Sequence, residues 1–178
     1  MYKKIALCLF MVFAMLGCSS VTKNVSSSVS LNPAKSCAVM PFINDTNHYG
    51  ADDAVAALVE TELQRKGSCV FVEQSEVAQK LKALGVEKDR LFDKNYALSL
   101  ASKIGVDYLF VGRVTEYNYQ YGLREDPAVG ISMKLIDAKE QKFIWAGDEG
   151  RVKRSYLLRD SLAATAIESV RSVLSEIK

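Results

Sequence analysis

The chain has 178 residues, with 23 basic and 21 acidic side chains, one histidine and four cysteines, for a formal charge of +2. Lys3 and Lys4 are the only charged residues ahead of position 18, so the 161 residues that follow Gly17 balance 21 bases against 21 acids. A neutral chain with a single histidine offers no electrostatic grounds for a nucleic-acid partner, and its length suits one domain with a continuous core.

Residues 1–17 combine two lysines, an apolar run from Ile5 to Gly17 and a small residue before Cys18, the three parts of a bacterial export signal. Met15-Leu16-Gly17-Cys18 is similar to a lipobox, at which the Cys sulfur receives diacylglycerol and the chain is cut before that Cys. Two alternatives stand beside it. A transmembrane helix needs about twenty apolar residues, more than are present, and an ordinary signal peptide prefers a small residue where Met15 stands. Ser19-Ser20, with no Asp after the Cys, fits an outer-membrane destination on the periplasmic side. Acyl chains contribute about 0.8 kcal/mol per buried methylene, so several of them anchor the chain nearly permanently.

Residues 18–35 are polar and Ser-rich and read as a tether, with a reach of about 20 to 25 Å as a flexible coil. The globular domain is then expected over 36–178. It opens with the strand Cys37-Ala-Val-Met-Pro-Phe and a polar loop from Asn44 to Gly50. A helix follows, with Asp52 and Asp53 in its first turn, Val55, Leu58, Val59 and Leu63 at helical spacing, and Gly67 at its end. Cys69-Val-Phe-Val supplies a second strand, parallel to the first. Two shorter helices, Gln74 to Leu84 and Tyr96 to Ile104, flank a charged loop and stop at Gly85 and Gly105.

Asp107 to Tyr121 reads as a long strand, with Leu109, Val111, Tyr117, Tyr119 and Tyr121 on one alternation and Tyr108, Phe110 and Val114 on the other. Its first half is buried on both faces and its second has one wet face. Gly122 to Pro127 turns the chain into the strand Ala128 to Asp137, and Lys142 to Lys153 returns with Phe143 and Trp145 on one side. A closing helix over about 155–177 buries Leu162, Ala163, Ala166, Ile167, Val170, Leu174 and Ile177. The expected fold is α/β of the α+β kind: a mixed sheet of about five strands, made of a β-α-β unit and a long antiparallel meander, packed by helices.

Cys8 leaves with the signal and Cys18 takes lipid, which leaves Cys37 and Cys69 in an oxidising compartment. Each begins an apolar strand. They either bridge as a disulfide or serve as buried thiols, and two Cys with one His are too few ligands for a metal site. No phosphate loop or nucleophile elbow is present, and His48 lies in a loop as a solvated side chain. Adjacent acids at Asp52-Asp53, Glu125-Asp126 and Asp148-Glu149 diverge when they lie in strands, which is poor geometry for a shared acid and base. An enzyme and a bound cofactor are not expected.

The order of elements, Ala38-Val-Met-Pro-Phe-Ile-Asn-Asp-Thr, Val106-Asp-Tyr-Leu-Phe-Val-Gly-Arg-Val and the hairpin from Leu135 to Trp145 resemble the broad group of CsgG and the TolB N-terminal domain. Tyr121-Gly-Leu-Arg-Glu-Asp-Pro-Ala-Val-Gly with that hairpin resembles the PelC family of outer-membrane lipoproteins of Pel exopolysaccharide export. The resemblance implies a dodecameric homo-oligomeric ring on the periplasmic face of the outer membrane, beneath a PelB-type porin. An acidic funnel would guide a cationic polysaccharide outward. It also implies a membrane-facing Trp145, and Glu125, Asp126, Asp148 and Glu149 are candidates for the funnel wall. The competing fates are a Trp145 packed under the last helix and acids that are solvated strand ends, diluted by Arg124, Arg151, Lys153 and Arg154. A lipoprotein activator of a periplasmic enzyme, like LpoB, is the rival function, as is an adaptor for another secretion system. Such an activator must reach through peptidoglycan, for which 18–35 is a short tether.

Overall fold

The computed structural model describes residues 20–121, 125–154 and 160–178, so the signal sequence and Cys18 lie outside the described residues. Seven strands form one mixed sheet in the order β1-β7-β6-β5-β2-β4, with β3 also on β5. The strands are β1 (Ser20–Val25), β2 (Ser36–Val39), β3 (Ile43–Asn44), β4 (Val70–Phe71), β5 (Tyr108–Tyr121), β6 (Glu125–Asp137) and β7 (Lys142–Val152). The helices are α1 (Ala51–Lys66), α2 (Gln74–Ala83), α3 (Lys94–Ile104) and α4 (Leu162–Val173). β2, β3 and β4 pair in parallel, and β1, β5, β6 and β7 form the antiparallel part.

The expected β-α-β unit is present. α1 carries Asp52 and Asp53 at its start and Arg65 and Lys66 at its end, charges that oppose its dipole, and Gly67 closes it in the left-handed conformation. α3 begins at Asp93, whose carboxylate accepts from the Tyr96 N–H, and ends at a left-handed Gly105. Ser161 caps α4 by accepting from the Ala164 N–H, and the Tyr119 hydroxyl of β5 accepts from the Leu162 N–H at 3.2 Å. Cys37 and Cys69 are joined by a disulfide with Cα atoms 6.0 Å apart, which ties β2 to the start of β4.

The sheet has two apolar sides. On one, α1 and α4 cover Phe110, Val114, Val129, Ile131, Met133, Leu135 and Trp145. On the other, α2 and α3 cover Leu109, Val111 and Ile136 with Ala38 and Met40.

Four expectations are corrected. Residues 18–35 are not a free tether from Ser20 onward: β1 pairs along β7 from Ser20↔Val152 to Val25↔Gly147. Val29 exchanges backbone hydrogen bonds with the C-terminal segment and Leu31 is buried. Alternating Val21, Lys23 and Val25 in an otherwise polar run were the overlooked strand signal, and an open edge on β7 supplied the partner. Second, β6 starts at Glu125 rather than at Ala128, Pro127 included.

Third, a register shift between Val114 and Glu116 puts Tyr117 and Tyr119 on the side of Phe110 and Val114, not on that of Leu109. An extra residue in one strand reverses the facing of everything beyond it. A second shift, at Leu135/Ile136, separates Phe143 from Trp145: Phe143 joins the α3 side and Trp145 the α4 side. Fourth, α4 buries Thr165 and Ser169 in place of Ala163 and Ile167.

Candidate functional site

α2 and α3 cover only the inner half of their side of the sheet. Past the β5 shift that side continues as a pavement outside that cover, built by pairing of Glu116 with Gly130, Asn118 with Ala128 and Gln120 with Asp126. It extends through Ser132↔Asp148 and Gly130↔Gly150 on β7 to Asn24 and Thr22 on β1. None of these residues belongs to either core cluster; Asn118, Gln120, Asp148, Gly150, Thr22 and Asn24 are exposed, Glu116 and Asp126 are half-buried, and Ala128 and Gly130 are buried between their neighbours. A side chain at Gly130 would collide with the Thr115 hydroxyl.

Three acids share this pavement: Glu116, Asp126 and Asp148. Glu116 accepts from the Gln120 amide at 2.9 Å, and Asp126 faces the Arg154 guanidinium at 3.7 Å. Towards the covered half the charge turns positive. Arg113 lies 3.2 Å from Asp45 and 5.1 Å above the Phe92 ring, and the Lys134 ammonium is 4.0 Å from the same ring.

Strand alternation divides the four acids expected to line a funnel. Asp126 and Asp148 lie on the open pavement, whereas Glu125, opposite Tyr121, and Glu149, opposite Ile131, lie on the other side. Glu149 is 2% exposed beneath α4. Its Oε1 accepts from the Arg151 guanidinium at 2.7 and 3.0 Å, and its Oε2 has no hydrogen-bond partner among the described residues. Arg151 also lies 3.5 Å from Glu168 of α4, and Lys153 bridges Glu168 at 2.6 Å and Asp160 at 3.3 Å. The hydrogen bond to Glu168 leads the causes that raise the Lys153 pKa above the ordinary lysine value, against the opposing effect of burial. Arg151 and Lys153 are therefore held on the α4 side and do not neutralise the pavement; Arg154 alone of the basic run touches it. Glu116 was missed because its facing depends on the bulge.

Trp145 is also placed differently from expectation. It is 2% exposed, packed with Val173 under α4, and an added side chain at Gly147 would strike its ring. A buried indole of this kind does not face a bilayer from the protomer surface, and the competing fate under the last helix is the one observed. Its Nε1 has no hydrogen-bond partner among the described residues. His48 lies in the loop after β3 with its ring 5.0 Å from that of Tyr117. Among the described residues no group of three or more His, Cys, Asp or Glu side chains has the geometry to hold a metal ion, and no helix is long and apolar enough to cross a membrane.

Several solved structures share this fold. A PelC dodecamer from Paraburkholderia phytofirmans matches with a TM-score of 0.67 at 22% identity, over 89% of this chain and 98% of that one. Lipoprotein GNA1162 from Neisseria meningitidis gives 0.59 at 19% identity, over 79% and 98%. The solution structure of Escherichia coli LpoB gives 0.51 at 18% identity, over 68% of this chain and 59% of that one. The fold is thus PelC-like, and these relatives are described as a dodecamer, a lipoprotein and LpoB, with no catalytic activity named. No curated protein matches the chain. A family model described as peptidoglycan-synthase activator LpoB matches residues 13–150, well over half of the sequence, and the chain belongs to that family.

Proposed function

We propose that this chain is a non-enzymatic outer-membrane lipoprotein whose copies assemble into a periplasmic ring. The ring guides a cationic exopolysaccharide of the Pel type to an outer-membrane porin during export of biofilm matrix. The observation that carries this is the shared sheet face of Glu116, Asp126 and Asp148 on a fold shared with a PelC dodecamer. Carboxylates repeated by rotational symmetry concentrate negative potential in a lumen and raise the local concentration of a polycation. Short polar side chains on a flat sheet also let a sugar chain slide without being gripped.

The test has two parts. Mass measurement of the detergent-extracted lipidated protein is expected to give a large closed ring, and a clean monomer at high concentration overturns the proposal. Chitosan, a soluble cationic polysaccharide, is expected to bind in a salt-sensitive way, and the Glu116→Gln, Asp126→Asn, Asp148→Asn triple variant to lose most of that binding. Dextran sulfate is expected not to bind.

Activation of a peptidoglycan synthase is the second reading, favoured by the family match over residues 13–150. Against it stands the reach of the chain. With Ser20 already paired to Val152, a single residue separates the sheet from Cys18, a reach of about 7 Å. A glycan-polymerisation assay with purified synthase distinguishes the two, since only an activator raises its rate.

A further inference from the structure

The same short connection orients the domain. Cys18 lies within about 7 Å of the Ser20 end of β1, so acyl chains on it emerge beside that end of the sheet. Ser20 pairs with Val152, Val152 with Ala128 and Ala128 with Asn118, so this is also the end at which the β5–β6 hairpin projects. Tyr121, the last residue of β5, is 84% exposed there.

A second aromatic arrives from the other side of β5. β3 runs parallel to β5, with Asn44 beside Val114 and the Asp45 N–H donating to the Val114 carbonyl, and the chain then continues toward the same end. His48 rests against Tyr117, and the next residue, Tyr49, is fully exposed. Five large apolar or aromatic side chains are exposed among the described residues: Val21 and Tyr121 lie at this end, and Tyr49 lies one residue past the His48 that rests on Tyr117, four residues short of Tyr121. Val70 and Leu84 are the others, on β4 and just past α2.

We infer that the Tyr49–Tyr121 end of the protomer lies against the bilayer, with both phenol rings at headgroup level beside the acyl anchor. Phenol rings suit that depth because the ring prefers hydrocarbon and the hydroxyl prefers water. Among the described residues the local charge is mixed, with Arg154 set against Asp126 and Glu125 nearby. This inference rests on the lipoprotein part of the proposed function and not on the polysaccharide or the ring. It replaces Trp145 with two tyrosines as the membrane-facing aromatics.

The experiment uses the full lipidated chain in phosphatidylethanolamine–phosphatidylglycerol vesicles that contain nitroxide-labelled lipid. Tyr49→Trp and Tyr121→Trp are compared with Glu140→Trp, in the β6–β7 turn at the opposite end of the sheet, and with the parent, whose single Trp145 is buried. Emission at the first two positions is expected to be quenched roughly twofold more than in the parent, as for rings at headgroup depth. Quenching at Glu140→Trp instead, or at neither tyrosine position, overturns the orientation. Mass spectrometry of Cys18 separates the causes: no acyl mass overturns both the lipoprotein reading and the inference. An acylated but unquenched protein overturns the inference alone. The ring mass is measured independently of both.

Discussion

Trp145 and Glu149 are two alternate residues of β7 that a sequence pattern invites one to place at a surface, and both are buried under α4. For Trp145 the consequence is energetic. Trp145→Ala is expected to cost about 3 to 5 kcal/mol in urea unfolding, the usual loss for emptying a buried aromatic site, whereas a surface indole would cost little. For Glu149 the consequence is electrostatic. Its side chain is fully buried and its guanidinium partner 15% exposed, so Arg151→Met strands a carboxylate away from water. That variant is expected to lose about 3 to 5 kcal/mol. Adding Glu149→Gln to Arg151→Met should recover much of the loss in a double-mutant cycle, and strict additivity would show that the pair is not coupled.

β1 decides what kind of linker the N-terminal segment is. In hydrogen–deuterium exchange, those amides of residues 20–25 that bond to β7, together with Val29 and Leu31, are expected to be protected for minutes or longer; a free tether exchanges completely in the dead time. The parallel edge has its own device. The Cys37–Cys69 bridge spans a separation of 32 residues, and closing a loop of that length restricts the unfolded chain by about 3 to 4 kcal/mol at room temperature. Cys69→Ala is expected to lower unfolding free energy by about that amount while leaving β5, β6 and β7 in place. β2 and β4 share few hydrogen bonds, so the loss concentrates at that edge.

At the scale of the whole molecule the carboxylates set the acid limit. Asp107 accepts from the Ser36 N–H and hydroxyl, both at 2.9 Å, and these bonds hold its pKa below the ordinary 3.8 against the effect of burial. The Arg65 hydrogen bond is the leading cause that places Glu62 below the ordinary 4.5, with burial opposing and Arg171 assisting. Burial raises Asp52, but the hydrogen bond and charge of Lys88 outweigh it and the net direction is down. A folded-state pKa below the unfolded one means that the unfolded chain binds more protons at low pH. The resulting stability is complete above the ordinary carboxylate values and is lost as pH falls through the folded values. Melting temperature is therefore expected to be flat near neutrality and to fall below about pH 4, with a shallower fall in Asp107→Asn.

Much of the chain was legible without coordinates, because helix ends and core faces are written locally. Acids opened α1, Gly67 and Gly105 closed α1 and α3, and Val129, Ile131, Met133 and Leu135 alternated as a buried face does. The order of elements, with the motifs at Ala38–Thr46, Val106–Val114, Tyr121–Gly130 and Leu135–Trp145, was enough to place the chain near the PelC fold. Facing was another matter. Two single-residue register shifts decide that Tyr117 joins Phe110, that Phe143 and Trp145 part company, and that Glu116 joins Asp126 and Asp148 on the open pavement. A register shift is a property of two strands in contact, so neither strand alone reveals it. For the same reason the valine alternation of β1 does not by itself make a strand. A polar run with alternate valines becomes a strand only when an open sheet edge meets it, and only the tertiary structure supplies that edge.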